Sequence, residues 1–166
     1  MIRTRYSSIL ALFFCVMAIP LLGQSVPEIP AAPVPTQIAS AKKIFISNTG
    51  EESNQYLLSL YNGGPNRAYN QLYNALKNWE QHELVSAPAD ADLVFEIHFE
   101  NRAIGDFFRL LILDPKTRIT LWTVTEYIGP AMLAKNRDKN FDLAMTALVN
   151  DVKSLASPPP AAAPRG

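Results

Sequence analysis

Cysteine is almost absent: Cys15 is the only one in 166 residues. No intramolecular disulfide is available, and if the first residues are removed on export, zinc–thiolate sites and cysteine nucleophiles are excluded as well. A bacterial lipid-attachment cysteine wants small residues before it, whereas Leu12-Phe13-Phe14 are bulky, so Cys15 reads as hydrophobic filler. An excess of one charge is also missing. Fifteen basic residues balance fifteen acidic ones, which argues against the basic field that nucleic-acid binding requires. Glycine-rich phosphate loops are missing too. The loop Asn48-Thr49-Gly50-Glu51-Glu52-Ser53 has neither the glycine spacing nor the lysine, and its two glutamates repel phosphate. Nor does any Ser, His and Asp arrangement with a glycine elbow occur.

The N-terminus carries Arg3 and Arg5, an apolar run from Ile9 to Ala18, then Pro20 and the stretch Leu21-Leu22-Gly23-Gln24-Ser25. This is the plan of a secretory signal. The run is shorter than the ~20 residues of a membrane-spanning helix, so cleavage after Gly23 or Ser25 is expected. An uncleaved anchor is the alternative and the one route to membrane association. Removing residues 1–23 takes two basic residues and no acid, leaving 13 basic against 15 acidic residues, a net charge near −2. The expected location is periplasmic or secreted.

Proline alternates with small residues from Val26 to Pro35 and again from Ser157 to the C-terminus. Proline fixes φ and lacks a donor, which favours extended, solvated tethers. The expected organisation is a signal peptide over 1–23, a Pro/Ala-rich linker over 24–40, an α/β domain over 41–156 and a Pro/Ala-rich tail over 157–166.

Within the domain, Ile44-Phe45-Ile46 predicts a buried first strand. Tyr56, Leu57, Leu60 and Tyr61 are at helical spacing, interrupted by Gly63-Gly64-Pro65, and the better half of that helix runs from Asn66 to Glu80. Leu84-Val85 suggests a brief strand. From Asp92 to Glu100 the chain alternates, with Leu93, Phe95, Ile97 and Phe99 on one side and Val94, Glu96, His98 and Glu100 on the other. Strands over Phe107–Leu113 and Arg118–Tyr127 flank Asp114-Pro115-Lys116-Thr117, where proline suits the first central position of a turn. A last helix beginning near Asp138 or Asn140 carries Phe141, Ala144, Met145, Leu148, Val149, Val152 and Leu155. The fold class expected is α+β: a two-layer sandwich with a mixed, mostly antiparallel sheet of four to five strands and helices on one face.

Two places carry candidate chemistry. Glu96, His98 and Glu100 share a strand face at i, i+2 and i+4, so nitrogen and oxygen donors have a geometry in which to converge on a divalent cation. The polar face of an antiparallel sheet produces the same spacing without any metal. Trp122, opposite in facing to Leu121, is a candidate docking anchor if it is exposed. Asp90 and Asp92 read as caps, and His82, just past a helix end, as a cation on the dipole. No cofactor is expected.

The segments Ala89-Asp90-Ala91-Asp92-Leu93-Val94, Leu110-Leu111-Ile112-Leu113-Asp114-Pro115-Lys116-Thr117 and Leu121-Trp122 give the chain a resemblance to bacterial envelope domains. These are the domains of curli-secretion proteins, activators of penicillin-binding proteins, the TolB amino-terminal domain and related uncharacterised exported proteins. The similarity in element order covers residues 42–155. Two departures stand out: the lipid-attachment cysteine is missing, and Arg118 replaces the glycine usual after the threonine, which implies a different turn geometry. The resemblance implies a non-catalytic adaptor that binds an envelope protein. The alternative expectation is a small-ligand or divalent-metal-binding periplasmic protein.

Overall fold

The computed structural model describes residues 32–48 and 60–157. The signal peptide, most of the linker, the loop and first helical turns over 49–59, and the tail from 158 onward lie outside the described residues. In chain order the elements are α1 (Thr36–Ser40), β1 (Lys43–Ser47), α2 (Arg67–Trp79) and β2 (Glu83–Leu84). A 3-10 turn (Pro88–Asp90) precedes β3 (Leu93–Arg102), β4 (Gly105–Leu113), β5 (Thr120–Ile128) and α3 (Ala134–Ala156).

The five strands form one mixed sheet in the order β2-β1-β3-β4-β5. β1 runs parallel to both β2 and β3, whereas β3-β4 and β4-β5 are antiparallel. Parallel neighbours need a crossover, and the segment carrying α2 supplies it between β1 and β2. The result is the α+β two-layer sandwich with helices packed on the sheet.

Alternation and helical spacing explain the core. Ile44 and Ile46 of β1, Leu93, Phe95, Ile97 and Phe99 of β3, and Phe108, Leu110 and Ile112 of β4 face the helices. They meet Ala68, Leu72 and Leu76 of α2 and the Phe141, Ala144, Met145, Leu148, Val149 and Val152 stripe of α3. An aromatic cluster occupies one end of this layer. The Phe141 ring centroid lies 4.7 Å from Phe108 and 5.1 Å from Tyr61, and Phe99 stacks at 6.5 Å. On the opposite sheet face Val94, Phe107 and Leu113 are buried outside that core.

Several boundaries differ from expectation, for physical reasons. α3 starts at Ala134, a full turn before the expected caps. Asp138 is instead used across the layer, accepting from Arg67 Nη1 at 2.6 Å and the Asn62 amide at 2.9 Å. Asn140 donates to the Gly129 carbonyl at 2.8 Å. At the other end Ala156 is buried and Leu155 only partly so. The linker expectation over 24–40 also needs correction at its end, because α1 lies inside it and Ile38 is 2% exposed in the core. β5 begins at Thr120, and Arg118 adopts φ +60 itself, the conformation a glycine takes most easily. Asp114 supports that turn by accepting from the Thr117 hydroxyl at 2.7 Å, the Lys116 amide at 3.1 Å and, through its carbonyl, the Arg118 amide at 2.9 Å.

The capping expectation for Asp92 holds: its carboxylate accepts from the Lys42 and Lys43 amides, both at 2.9 Å. These two bonds hold its pKa below the ordinary carboxyl value. His82 is different from the expected cation on a helix end. It is buried, its Nδ1–H donates to the Ala41 carbonyl at 3.0 Å, and burial lowers its pKa, so the neutral ring is favoured.

Candidate functional site: an edge strand and its groove

The β3 face places Glu96, His98 and Glu100 side by side, yet the three do not converge. His98 Nε2 lies 2.8 Å from Glu96 Oε1, a hydrogen bond along the strand. Glu100 turns away into arginines: Arg102 donates to Oε2 from Nε at 2.9 Å, and Arg109 Nε, off-axis for a hydrogen bond, sits 2.5 Å from Oε1. His98 and Arg109 face each other across the β3-β4 ladder. A carboxylate balanced by two guanidinium groups is a weak cation ligand, because both oxygens already have positive partners. Among the described residues no group of three or more His, Cys, Asp or Glu side chains is arranged to hold a metal ion.

Trp122 lies on the helix side of β5, in the same alternation as Val124 and Ile128, not on the open sheet face. Its ring is partly buried against the core. What remains of it lines a groove of about 610 Å³. Val34 and Ala39 from the N-terminal side form one wall, and Ser154 and Leu155 of α3 form the other. Thr123 and Thr125 bring the strand edge itself into the lining.

β5 is an outer strand of the sheet and, among the described residues, pairs with β4 alone. An unpaired strand edge offers a row of amides and carbonyls to another chain, and proteins commonly block it with lysine, proline or a very short strand. β2, at the other end, is two residues long. β5 is nine residues long and contains no lysine, arginine or proline. Its one charged side chain, Glu126, points to the helix side. Burial, followed by a hydrogen bond with the Asp151 carboxyl, raises the Glu126 pKa.

No family model and no curated protein matches the sequence. Among solved structures, the chain is similar to an uncharacterised lipoprotein B from Nitrosomonas europaea, at 12% identity and a TM-score of 0.38, over 76% of this chain and 89% of the other. The groove and the edge therefore stand on their own geometry.

Sequence reasoning singled out Trp122 but not its surroundings. The signal available was the pair Val34 and Ile38, four residues apart in a proline-rich stretch, an apolar spacing that a solvated tether does not need. The Arg67 clamp was missed entirely. Its guanidinium pairs with Asp138 at 2.6 Å and Asp142 at 2.7 Å and lies 4.3 Å over the Phe141 ring. Partners 71 and 75 residues apart in the chain leave no local pattern.

Proposed function

We propose that this chain is an exported, non-catalytic interaction module of the bacterial envelope, and that it captures an extended segment of another envelope protein along β5. The observation that carries this reading is a nine-residue edge strand without lysine, arginine or proline beside an aromatic-lined groove. Strand addition uses main-chain hydrogen bonds for affinity and pockets for alternate side chains for selectivity. Here the alternate side chains of an added strand would meet Trp122 and Leu155 on one face and Thr123 and Thr125 on the other. The charged N-terminus with its apolar run supports export, and the resemblance to envelope domains supports an adaptor role.

The test is site-specific photo-crosslinking in intact cells from Thr125 on β5, with Lys77 on the exposed side of α2 as control. One envelope protein should be captured from Thr125 and not from Lys77, and Trp122→Ala should reduce that product by about tenfold or more while leaving the circular dichroism spectrum intact, as for a typical aromatic anchor. Equal labelling from both positions, or no adduct, would overturn the proposal. A groove of this size also falls within the range of small-molecule sites, so the second reading is a small apolar ligand bound beside Trp122. Quenching of tryptophan fluorescence by cell extract small molecules, without a protein adduct, would favour it.

A further inference from the structure

Apolar side chains gather in water at one pole of the sheet. Of the seven large exposed hydrophobic side chains among the described residues, Leu60, Ile104, Tyr127, Met132 and Leu133 belong to this pole, with Met132 at 97% and Ile104 at 75% exposure. The topology brings them together. Ile104 sits in the β3-β4 turn, and the β4-β5 register sets Asp106 opposite Ile128, so this turn and the end of β5 are neighbours. Tyr61 donates to Asp106 at 2.7 Å, and Arg137 donates to both the Leu60 and Met132 carbonyls. Ile119, by contrast, lies at the opposite end of β5.

Among the described residues this pole carries a slight excess of positive charge although the whole chain is neutral. Lys135 and Lys139 are exposed and have no ion pair or hydrogen bond among the described residues. Among the described residues, four cations, Arg67, Lys135, Arg137 and Lys139, stand here against three acids: Asp138 and Asp142, both on Arg67, and Asp106, which accepts from Tyr61 and Asn101. The loop that projects Met132 and Leu133 is also held in place. Asn140 ties the Gly129 carbonyl, Pro130 fixes the next φ, and Arg137 ties the Met132 carbonyl. A loop already ordered loses little conformational entropy on insertion.

We propose that this pole docks on an anionic lipid surface, with Met132, Leu133 and Ile104 entering the headgroup boundary and Lys135 and Lys139 meeting acidic headgroups. Side chains projecting singly from two adjoining turns suit a fluid boundary, which needs no matching pocket, and unpaired lysines beside them complement its charge. The arrangement leaves β5 and its groove, at the side of the sheet, accessible to a protein segment.

The experiment uses the full chain carrying Cys15→Ser and a single cysteine at position 132, M132C, labelled with a polarity-sensitive fluorophore. I119C, labelled in the same way, reports the opposite end. Because the full chain also contains the apolar run 9–18, the site-resolved probe is the readout and not total binding. Vesicles of phosphatidylcholine with phosphatidylglycerol should shift emission to the blue at position 132 and not at 119, and added salt should reverse the shift. Lys135→Gln with Lys139→Gln should raise the lipid concentration at half-shift by roughly 25-fold, near fivefold for each cation. No shift at 132, equal shifts at both positions, or an equal response to pure phosphatidylcholine would overturn the proposal. So would crosslinking of position 132 to a protein without any vesicle response.

Discussion

Replacing Phe141 by alanine tests the packing account most directly. Its ring is fully buried at the centre of the aromatic cluster, touching Phe108, Tyr61 and Phe99, and it forms the surface beneath the Arg67 guanidinium. Truncating a buried phenylalanine costs about 3–5 kcal/mol through lost transfer energy and the cavity left behind. The cation above the ring adds roughly 0.5–1 kcal/mol. A loss of about 4–5 kcal/mol compares with a total stability of about 5–15 kcal/mol for a typical domain. In urea, with a slope of about 2 kcal/mol/M, the unfolding midpoint should fall by about 2 M. Leu143→Ala, on the exposed side of the same helix, should move it by less than about 0.3 M. Phe141→Leu should fall between, and a cycle with Arg67→Met isolates the cation–ring coupling. A midpoint shift for Phe141→Ala no larger than that of Leu143→Ala would refute the assignment of this ring to the centre of the core.

Gly105→Ala should destabilise by about 2–4 kcal/mol in the same assay, since φ is +135 there and a Cβ would meet Tyr127 Cε2 at 2.6 Å. His82 has a folded-state pKa below its unfolded value, so its contribution is complete above about pH 6.5 and is lost as pH falls toward the folded value. Thermal midpoints of the parent should drop across that window, and those of His82→Asn should drop less. Glu126 has the opposite sign for a carboxyl: its folded pKa is raised, so its favourable contribution is present below the unfolded value and lost as pH rises through the folded one. Glu126→Gln should therefore raise the thermal midpoint at pH 7 and change it least at acid pH. An equal gain at both would disprove the raised Glu126 pKa.

Local pattern by itself determined much of this protein. The alternation from Leu93 to Phe99, the Leu72 and Leu76 spacing, and the Phe141 to Val152 stripe assign strand and helix because periods of two and about 3.6 put one face inward. Asp114-Pro115-Lys116-Thr117 placed the β4-β5 turn for the same local reason. Composition excluded disulfides and a basic field, and the polar spacing of Glu96, His98 and Glu100 marked a face of β3. What those three side chains do was decided by tertiary neighbours: the register sets Arg109 beside them, and its charge draws Glu100 away from His98. The start of α3 was decided in the same way. Asp138 and Asn140 look like caps in sequence, but Arg67, Asn62 and the Gly129 carbonyl claim their side chains and free the helix to begin at Ala134. Only the fold turned Trp122 toward the helices and brought Val34 and Leu155 beside it. Periodicity reports which side of an element is apolar. Strand order and long-range pairing decide which element becomes an edge, and so where a groove can form.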